Sequence, residues 1–408
     1  MRLLFLTNFY PPADLGGWEQ WCQEIANEFI TRGHRLTVLT SCFGRDQLTA
    51  SEPHVHRVLH LESDLNHYRP IEFFTKLPQR DALNREALVE LVEKEQPDAA
   101  VIWGMWQLNH QLAVLTEELL QNRVAYYFCG FWPAPKLEQD PHTAYWRQNR
   151  YPLGWLALRR LSKTRDRRPS LSHAACVSRF VLDNYTAGGR PLPEGRVIYG
   201  GIDLDRYHPV EREWARRSGP SAELPLRLLF AGSLSRAKGV DTVLQAMTLL
   251  GLDGRPGRVK LSVVGTGHPD FVKSLNDYTV DNHLQEHVQF HDRIPKEEMA
   301  ALLQAHDVLL FSSAWEEPLA RMMMEGMASG MVLVSTTTGG SGEILQNDEN
   351  CLTFQAGDAE GLASQIDRLL NEEGLAERLA SAARSSAEAR LDFQRMADEI
   401  EAFVGELL

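Results

Sequence analysis

Short apolar runs recur along the chain, each closed by a polar or glycine-rich corner and followed by a segment with apolar residues at helical spacing. In the first half they read RLLFLT, RLTVLT, DAAVIWG, RVAYYF and HAACVS; in the second, LRLLFAG, VKLSVVG, VQFHDRI, DVLLFSS and MVLVSTTT. Such brief runs alternating with helical segments are what strands buried on both faces require, so the pattern predicts parallel sheets covered by helices. The series occurs twice. It therefore predicts an α/β chain of two Rossmann-like, doubly wound domains. Between the halves, GGIDLDRYHPVEREWARRSGPSAELP is rich in Gly, Pro and charge, as a linker is. The expected division is 1–205, a linker over 206–224, then 225–390, with a strongly helical tail to 408 that no strand follows. Two such domains side by side leave a deep cleft at the carboxyl ends of their strands, where ligands of doubly wound sheets bind.

At 408 residues the chain exceeds what one hydrophobic core supports, which agrees with two domains. Its 43% hydrophobic and 24% charged residues exclude disordered and collagen-like chains. A formal charge of −13 excludes a surface built wholly for nucleic acid. One basic run stands out. From Arg147 to Arg168 there are eight basic residues against the single acid Asp166, with Tyr151 and Trp155 interleaved. It reads either as a solvated face on an acidic protein or as a contact for an anionic lipid surface or acceptor. Five scattered cysteines without a CxxC pair point to a reducing compartment and away from structural zinc. The start MRLLFLTNFYPP, cut off by Thr7, Asn8 and two prolines, reads as a first buried strand rather than a targeting signal. No stretch approaches ~18 uninterrupted apolar residues. The expected location is cytoplasmic, with peripheral contact at the inner membrane face through 147–168 left open.

The loops after the strands are where chemistry is expected. In the first, Gly16 and Gly17 open a helix, and a glycine pair there lets backbone approach a phosphate held by the first N–H groups. The dinucleotide fingerprint GxGxxG is absent, which counts against a dehydrogenase. The matching loop of the second half, FAGSLSRAKGVDTVL, sets Ser233, Arg236 and Lys238 before Gly239 and a helix, placing two cations where a diphosphate would meet them. In VVGTGHPDF, Gly265 and Gly267 expose backbone N–H groups to the same crevice. In WEEPLARMMMEGMASG, Pro318 suits the first position of a helix and Gly330 its end. Glu317 then sits at the cap, and Glu325 about two turns along, roughly 80° around the axis. Met322, Met323, Met324 and Met327 make that helix apolar over most of its circumference, so Glu325 needs a partner: a salt bridge or ligand hydroxyls such as those of a ribose. TTTGGSGEIL repeats the glycine-rich turn, with Glu343 expected in the first turn of a helix.

Taken in order, Gly16-Gly17, VSRF, VIYGGID, FAGSLSRAKGVD, VVGTG, WEEPLARMMMEGMASG and TTGGSGEIL resemble the retaining glycosyltransferases of the GT-B fold, glycosyltransferase family 4. The resemblance runs from residue 1 to about 390. It implies that Glu317 lies by the donor sugar, that Glu325 binds the nucleotide's ribose, and that Lys238 with Arg236 grips the diphosphate. The backbone from Leu319 through Ala320 to Arg321 would approach sugar and phosphate, and Ser233, Arg293 and Ile294 join the expected donor contacts. It also implies that the tail from about 390 crosses back onto the N-terminal domain, which would take the acceptor. The chain departs from the family at Ser233, where Arg is common, and at Pro318-Leu319-Ala320, where Pro-Phe-Gly is common. Many members place a histidine after the fourth N-terminal strand; here the segment is FCGFWP, and His110 is a structural candidate instead. Asp203-Leu204-Asp205 mimics a metal-binding pair but falls in the expected linker, and His34 reads as a turn residue.

The implied reaction moves a sugar from a nucleoside diphosphate sugar, UDP- or GDP-linked, to an acceptor hydroxyl with retention, without cofactor or metal. The acceptor would be a sugar, a lipid-linked molecule or a small molecule, and no nucleic acid is expected. Two other readings stand beside it: an epimerase or hydrolase of nucleotide sugars on the same architecture, and a non-catalytic nucleotide-sugar-binding subunit.

Overall fold

The computed structural model describes residues 1–13, 16–48, 52–65, 68–132, 141–148, 152–164, 167–192, 194–219, 222–251 and 257–408. The chain divides into two compact units, residues 1–199 with 397–408, and residues 200–396.

Among the described residues the first unit holds seven parallel strands: β1 (Arg2–Thr7), β2 (Arg35–Ser41), β3 (Val55–Leu59), β4 (Ala99–Gly104), β5 (Val124–Phe128), β6 (Ala174–Cys176) and β7 (Arg196–Val197). Their order is β3-β2-β1-β4-β5-β6-β7, so the sheet reverses direction of growth between β1 and β4. The central strands are buried along nearly their whole length, because helices cover both faces, and this is why their sequences are continuously apolar. FCGFWP follows β5, the fifth strand rather than the fourth: β3 interrupts the expected order. A satellite core of Phe73, Leu77, Trp146, Ala157 and Leu161 is formed by the helices Pro70–Thr75, Leu77–Glu95, Pro141–Arg147 and Leu153–Thr164.

The second unit repeats the plan with six parallel strands among the described residues: β8 (Leu226–Ala231), β9 (Val259–Val264), β10 (Val288–His291), β11 (Val308–Phe311), β12 (Val332–Ser335) and β13 (Leu352–Thr353). The order β10-β9-β8-β11-β12-β13 puts its switch point between β8 and β11. Its core joins strand residues such as Leu228, Val263 and Leu310 to Val243 and Met247 on one helix and Ile366 and Leu369 on another. Residues 206–219 belong to this unit. No described helix is long and apolar enough to cross a membrane.

Candidate functional site

At the switch point of the second sheet, glycines let three loops run backbone against backbone. Gly265 has φ +148°, and a Cβ there would fall 1.8 Å from the carbonyl oxygen of Gly232. One at Gly267 would fall 2.1 Å from that of Leu234, whose N–H donates to the Thr266 carbonyl at 2.8 Å. Larger residues at 265 and 267 would therefore separate the loops that follow β8 and β9. Ser233 is exposed beside them, and a single 3-10 turn, Arg236–Lys238, ends at Gly239, whose left-handed φ of +70° starts the helix Val240–Leu249.

The loop after β11 is tied to that turn. Ser312 Oγ donates to the carbonyls of Lys238 (2.9 Å) and Gly239 (3.0 Å), and the N–H groups of Ala314 and Trp315 donate to Ala237 at 2.9 and 3.1 Å. This brings Lys238 Nζ to 2.6 Å from Glu317 Oε1. The lysine is 31% exposed and the glutamate 15%, so an anion arriving from solvent can compete for the ammonium. Arg236 is exposed on the same turn, Arg293 is exposed in the loop after β10, and Ile294 is half-buried beside it.

Helix placement differs from the expectation. The helix after β11 spans Arg321–Ala328 and begins beyond Ala320, so Glu317 lies three residues before the cap and Glu325 is only the fifth helical residue. The cause is the loop after β12. The Glu317 carbonyl accepts the Gly340 N–H at 2.8 Å, and Gly339, at φ +62°, presses on it closely enough that a Cβ would fall 2.1 Å from that oxygen. The chain from 317 to 320 is thereby held out of the helix, with Leu319 and Ala320 buried. Likewise 339–343 forms a 3-10 turn, and Glu343 is its last residue rather than part of an α-helix's first turn.

Glu325 is 5% exposed and accepts from Arg321 Nε at 2.9 Å, one turn earlier on the same helix. Tyr207 is buried nearby; burial first, and the Glu325 charge second, push its phenol well above the ordinary range. The helix's far end is held by two arginines. Arg212 donates to the carbonyls of Ser329 and Gly330, each at 3.0 Å, and to those of His306 and Leu303. Arg384 donates to Ala328 at 2.6 Å and Tyr207 at 2.8 Å. Cations at the carboxyl end of a helix complement its dipole. Burial lowers the Arg212 pKa to about 10, with the Asp307 charge opposing.

In the first unit, Gly17 caps the helix Trp18–Thr31 and Gly16 is exposed before it. His34 contacts Glu401 at 2.7 Å, and His110 packs edge-on against Trp132 at 5.1 Å. Asp203 accepts the N–H groups of Asp205 and Arg206 at 3.0 and 2.9 Å, an Asx turn. No group of His, Cys, Asp and Glu that could hold a metal occurs among the described residues. Burial, with the charges of Glu19 and Cys176 adding to it, pushes the Cys129 thiol well up, so it is not a thiolate nucleophile.

Lys238 and Glu317 are thus brought into contact, and Ser233, Gly265, Gly267 and Arg236 share their edge of the sheet, although the Gly265 N–H, expected to face the crevice, donates instead to the His291 carbonyl at 3.0 Å. Sequence reasoning missed three residues: Arg321 as the partner of Glu325, visible as an i,i+4 pair; Tyr207; and Arg212, hidden in a charge-rich stretch.

Two family profiles match the chain, Glycosyltransferase Family 4 over residues 15–206 and Glycosyl transferases group 1 over residues 211–386. Relatives include spore coat protein SA of Bacillus subtilis, 28% identical over 57% of this chain and 64% of that protein, and the putative glycosyltransferase YtcC of the same organism, 30% identical over 50% and 53%. The chain thus matches less than two thirds of the length of either relative. Its fold is shared by Anabaena HepE, solved in complex with UDP, with a TM-score of 0.73 at 19% identity over 100% of both chains.

Proposed function

Because the chain belongs to the GT-B glycosyltransferases, a family 4 domain followed by a group 1 domain, we propose that it transfers a sugar from a nucleoside diphosphate sugar to an acceptor hydroxyl with retention of configuration and no metal. The observation that carries this reading is the meeting of Lys238 and Glu317 at 2.6 Å from the two loops that flank the β8/β11 switch point, over a floor of glycine backbone. Ligands of open α/β sheets bind at such a point.

In the proposed reaction the bond from the anomeric carbon to the diphosphate breaks as the acceptor oxygen bonds to the same face. The departing phosphate takes the acceptor's proton. Lys238, Arg236 and the N–H groups of Ser233 and Gly267 neutralise the charge that builds on the leaving group, which is what lowers the barrier. Glu317, exchanging Lys238 for the donor, faces the sugar, and Glu325 accepts from ribose hydroxyls. Leu319, Ala320 and Arg321 shape the donor pocket, with Arg293 and Ile294 beside the nucleotide and Gly16 and Gly17 near the diphosphate. UDP- and GDP-sugars are the proposed donors.

A thermal-shift panel of UDP-, GDP-, ADP- and dTDP-sugars tests this, since a ligand that binds the folded state raises its melting temperature. The expected outcome is a shift with one base, plus loss of turnover by about 10²–10³-fold in Lys238→Ala. Donor consumption without an acceptor would instead favour an epimerase or hydrolase. Binding without turnover would favour a non-catalytic subunit.

The proposal extends to location, at the cytoplasmic face of a membrane. The helix Leu153–Thr164 exposes Leu153, Trp155 and Leu156 at 57%, 53% and 47%, with Arg159 over the Trp155 ring at 5.2 Å. Apolar side chains beside cations suit an anionic lipid surface. Parts of the 147–168 run, 149–151 and 165–166, lie outside the described residues. Co-sedimentation with anionic vesicles, lost in Trp155→Glu, is expected; equal binding to zwitterionic vesicles would defeat it.

A further inference from the structure

Tyr207 lies against the helix Arg321–Ala328 and is pinned there at both backbone and ring. Its N–H donates to the Asp203 carbonyl at 2.9 Å, and its own carbonyl shares Arg384 Nη1 with the Ala328 carbonyl, at 2.8 and 2.6 Å. The Arg206 guanidinium stands over its ring, 5.6 Å from the centre. A ring fixed in this way also fixes where its hydroxyl stands.

That hydroxyl has no evident structural use. Tyr207 is 1% exposed, and among the described residues its Oη has no hydrogen-bond partner. A buried hydroxyl left unmade is costly, and phenylalanine would fill the same space without one. What it faces is a carboxylate. Glu325, 5% exposed, accepts from Arg321 Nε at 2.9 Å. Burial pushes the Tyr207 phenol up and the Glu325 charge adds to it, while Arg321 opposes, so all three groups act on one another. An ionised carboxylate offers about four lone-pair sites. Arg321 takes one, and two neighbouring hydroxyls of a ribose would take two more. One site is left for an O–H donor of the protein.

We propose that Tyr207 is a positioning residue for ribose recognition: its hydroxyl donates to Glu325 as the carboxylate turns to the ribose, and so holds it where two ribose hydroxyls reach it. The inference rests on the reading of Glu325 as the ribose ligand given above, and it adds a selectivity that this reading does not contain. A carboxylate held by Arg321 alone is free to swing and to settle for one hydroxyl. Held by Tyr207 as well, it is pre-set for both, and a site built to bond a hydroxyl rejects the analogue that lacks it. Tyr207 thus sets how strongly a ribonucleotide is preferred over its 2′-deoxy form, and it does so through Glu325 rather than by touching the nucleotide.

The test is calorimetric titration of the full chain with UDP, GDP, ADP and their 2′-deoxy forms, in the parent and in Tyr207→Phe, beside the melting temperature of each protein. The parent should bind the ribonucleotide of one base more tightly than its 2′-deoxy form. Tyr207→Phe should weaken the ribonucleotide about tenfold and the 2′-deoxy form by no more than about twofold. It should melt no lower than the parent, since what it removes is an unmade buried hydroxyl. In a Glu325→Gln background the same substitution should add little, because its route runs through the carboxylate. Equal weakening of both forms, an unchanged ribonucleotide affinity, or an effect of full size in the Glu325→Gln background would each overturn the role of Tyr207 alone. A parent that binds both forms equally, or none of these nucleotides, would instead remove the ribose reading of Glu325 on which that role rests.

Discussion

Glu325 and Lys238 both have protein partners in the empty site, and the burial of each pair decides what a substitution would report. The Lys238–Glu317 pair is partly exposed, so its loss costs stability only about 0–1 kcal/mol, and an effect on turnover reads out function. Arg321 and Glu325 are 8% and 6% exposed at the side chain. Removing one of such a pair weakens the hold on a buried charge, at up to about 3–5 kcal/mol, whereas replacing both with apolar residues of similar volume is close to neutral. Glu325→Ala is therefore expected to lose nucleotide binding and to melt early, which confounds the two effects. The double variant Arg321→Met with Glu325→Met should recover most of the stability without recovering the nucleotide-induced melting shift. A double variant with normal nucleotide affinity would defeat the ribose assignment. In the sequence the need for a partner was legible from four methionines around one carboxylate, and the arginine four residues earlier was the available signal. Tyr207 was not legible, because its approach to Glu325 depends on a fold-level contact that spacing does not encode.

At the scale of elements, legibility followed burial. The strands read correctly from pattern were mostly those flanked by neighbours on both sides, where two covered faces impose a continuous apolar run. The strands missed were β3, β7 and β13, all at sheet edges, with sequences VHRVL, RV and LT. An edge strand has one neighbour and less covered surface, so polar residues enter it and the pattern fades. The helix start after β11 was misplaced for a related reason: Pro318 favours a helix locally, but the Gly340 N–H takes the Glu317 carbonyl and tertiary contact wins. The far end of that helix depends on Arg212, whose composition-rich surroundings read only as charge. It bonds four buried or half-buried carbonyls, three of them at the carboxyl ends of helices. Arg212→Met keeps the stem and removes the donors. Hydrogen bonds to a charged group are worth about 1.5–3 kcal/mol each, and relaxation recovers part of the sum, so a loss of about 2–4 kcal/mol is expected. Urea unfolding of the variant checks this; a midpoint unchanged from the parent would mean that the carbonyls find other donors.

At the scale of the whole molecule, the chain's last segment leaves the unit that precedes it. The helix Phe393–Gly405 begins in the second unit, and from Ala397 onward its residues belong to the first. There Arg32 contacts Glu401 at 2.6 Å and Asp398 at 2.7 Å, and His173 stacks on Phe403 with ring centres 3.9 Å apart. The Arg32 hydrogen bond holds the Glu401 carboxyl below its ordinary range. A carboxylate depressed in the folded state contributes stability above its unfolded value of 4.5, lost as pH falls through the lower folded value, so this anchor weakens only in acid. Its half-exposed charges count for little beside the apolar contact. Ile400, Phe403 and Val404 are 1%, 3% and 0% exposed, and burying three such side chains is worth about 5–9 kcal/mol. That is comparable with the whole stability of a domain. Among the described residues, one core cluster of the second unit lies within 226–380, with Trp214 packed against it, and the unit's buried Ala387, Leu391 and Met396 also precede residue 397. Ending the chain at residue 396 should therefore unfold or strongly destabilise the first unit while the second still melts cooperatively and keeps its donor-induced shift. Limited proteolysis of the shortened chain, followed by mass determination of the resistant fragment, would show it. Recovery of a resistant first unit would mean that the tail adds contact without supporting that fold.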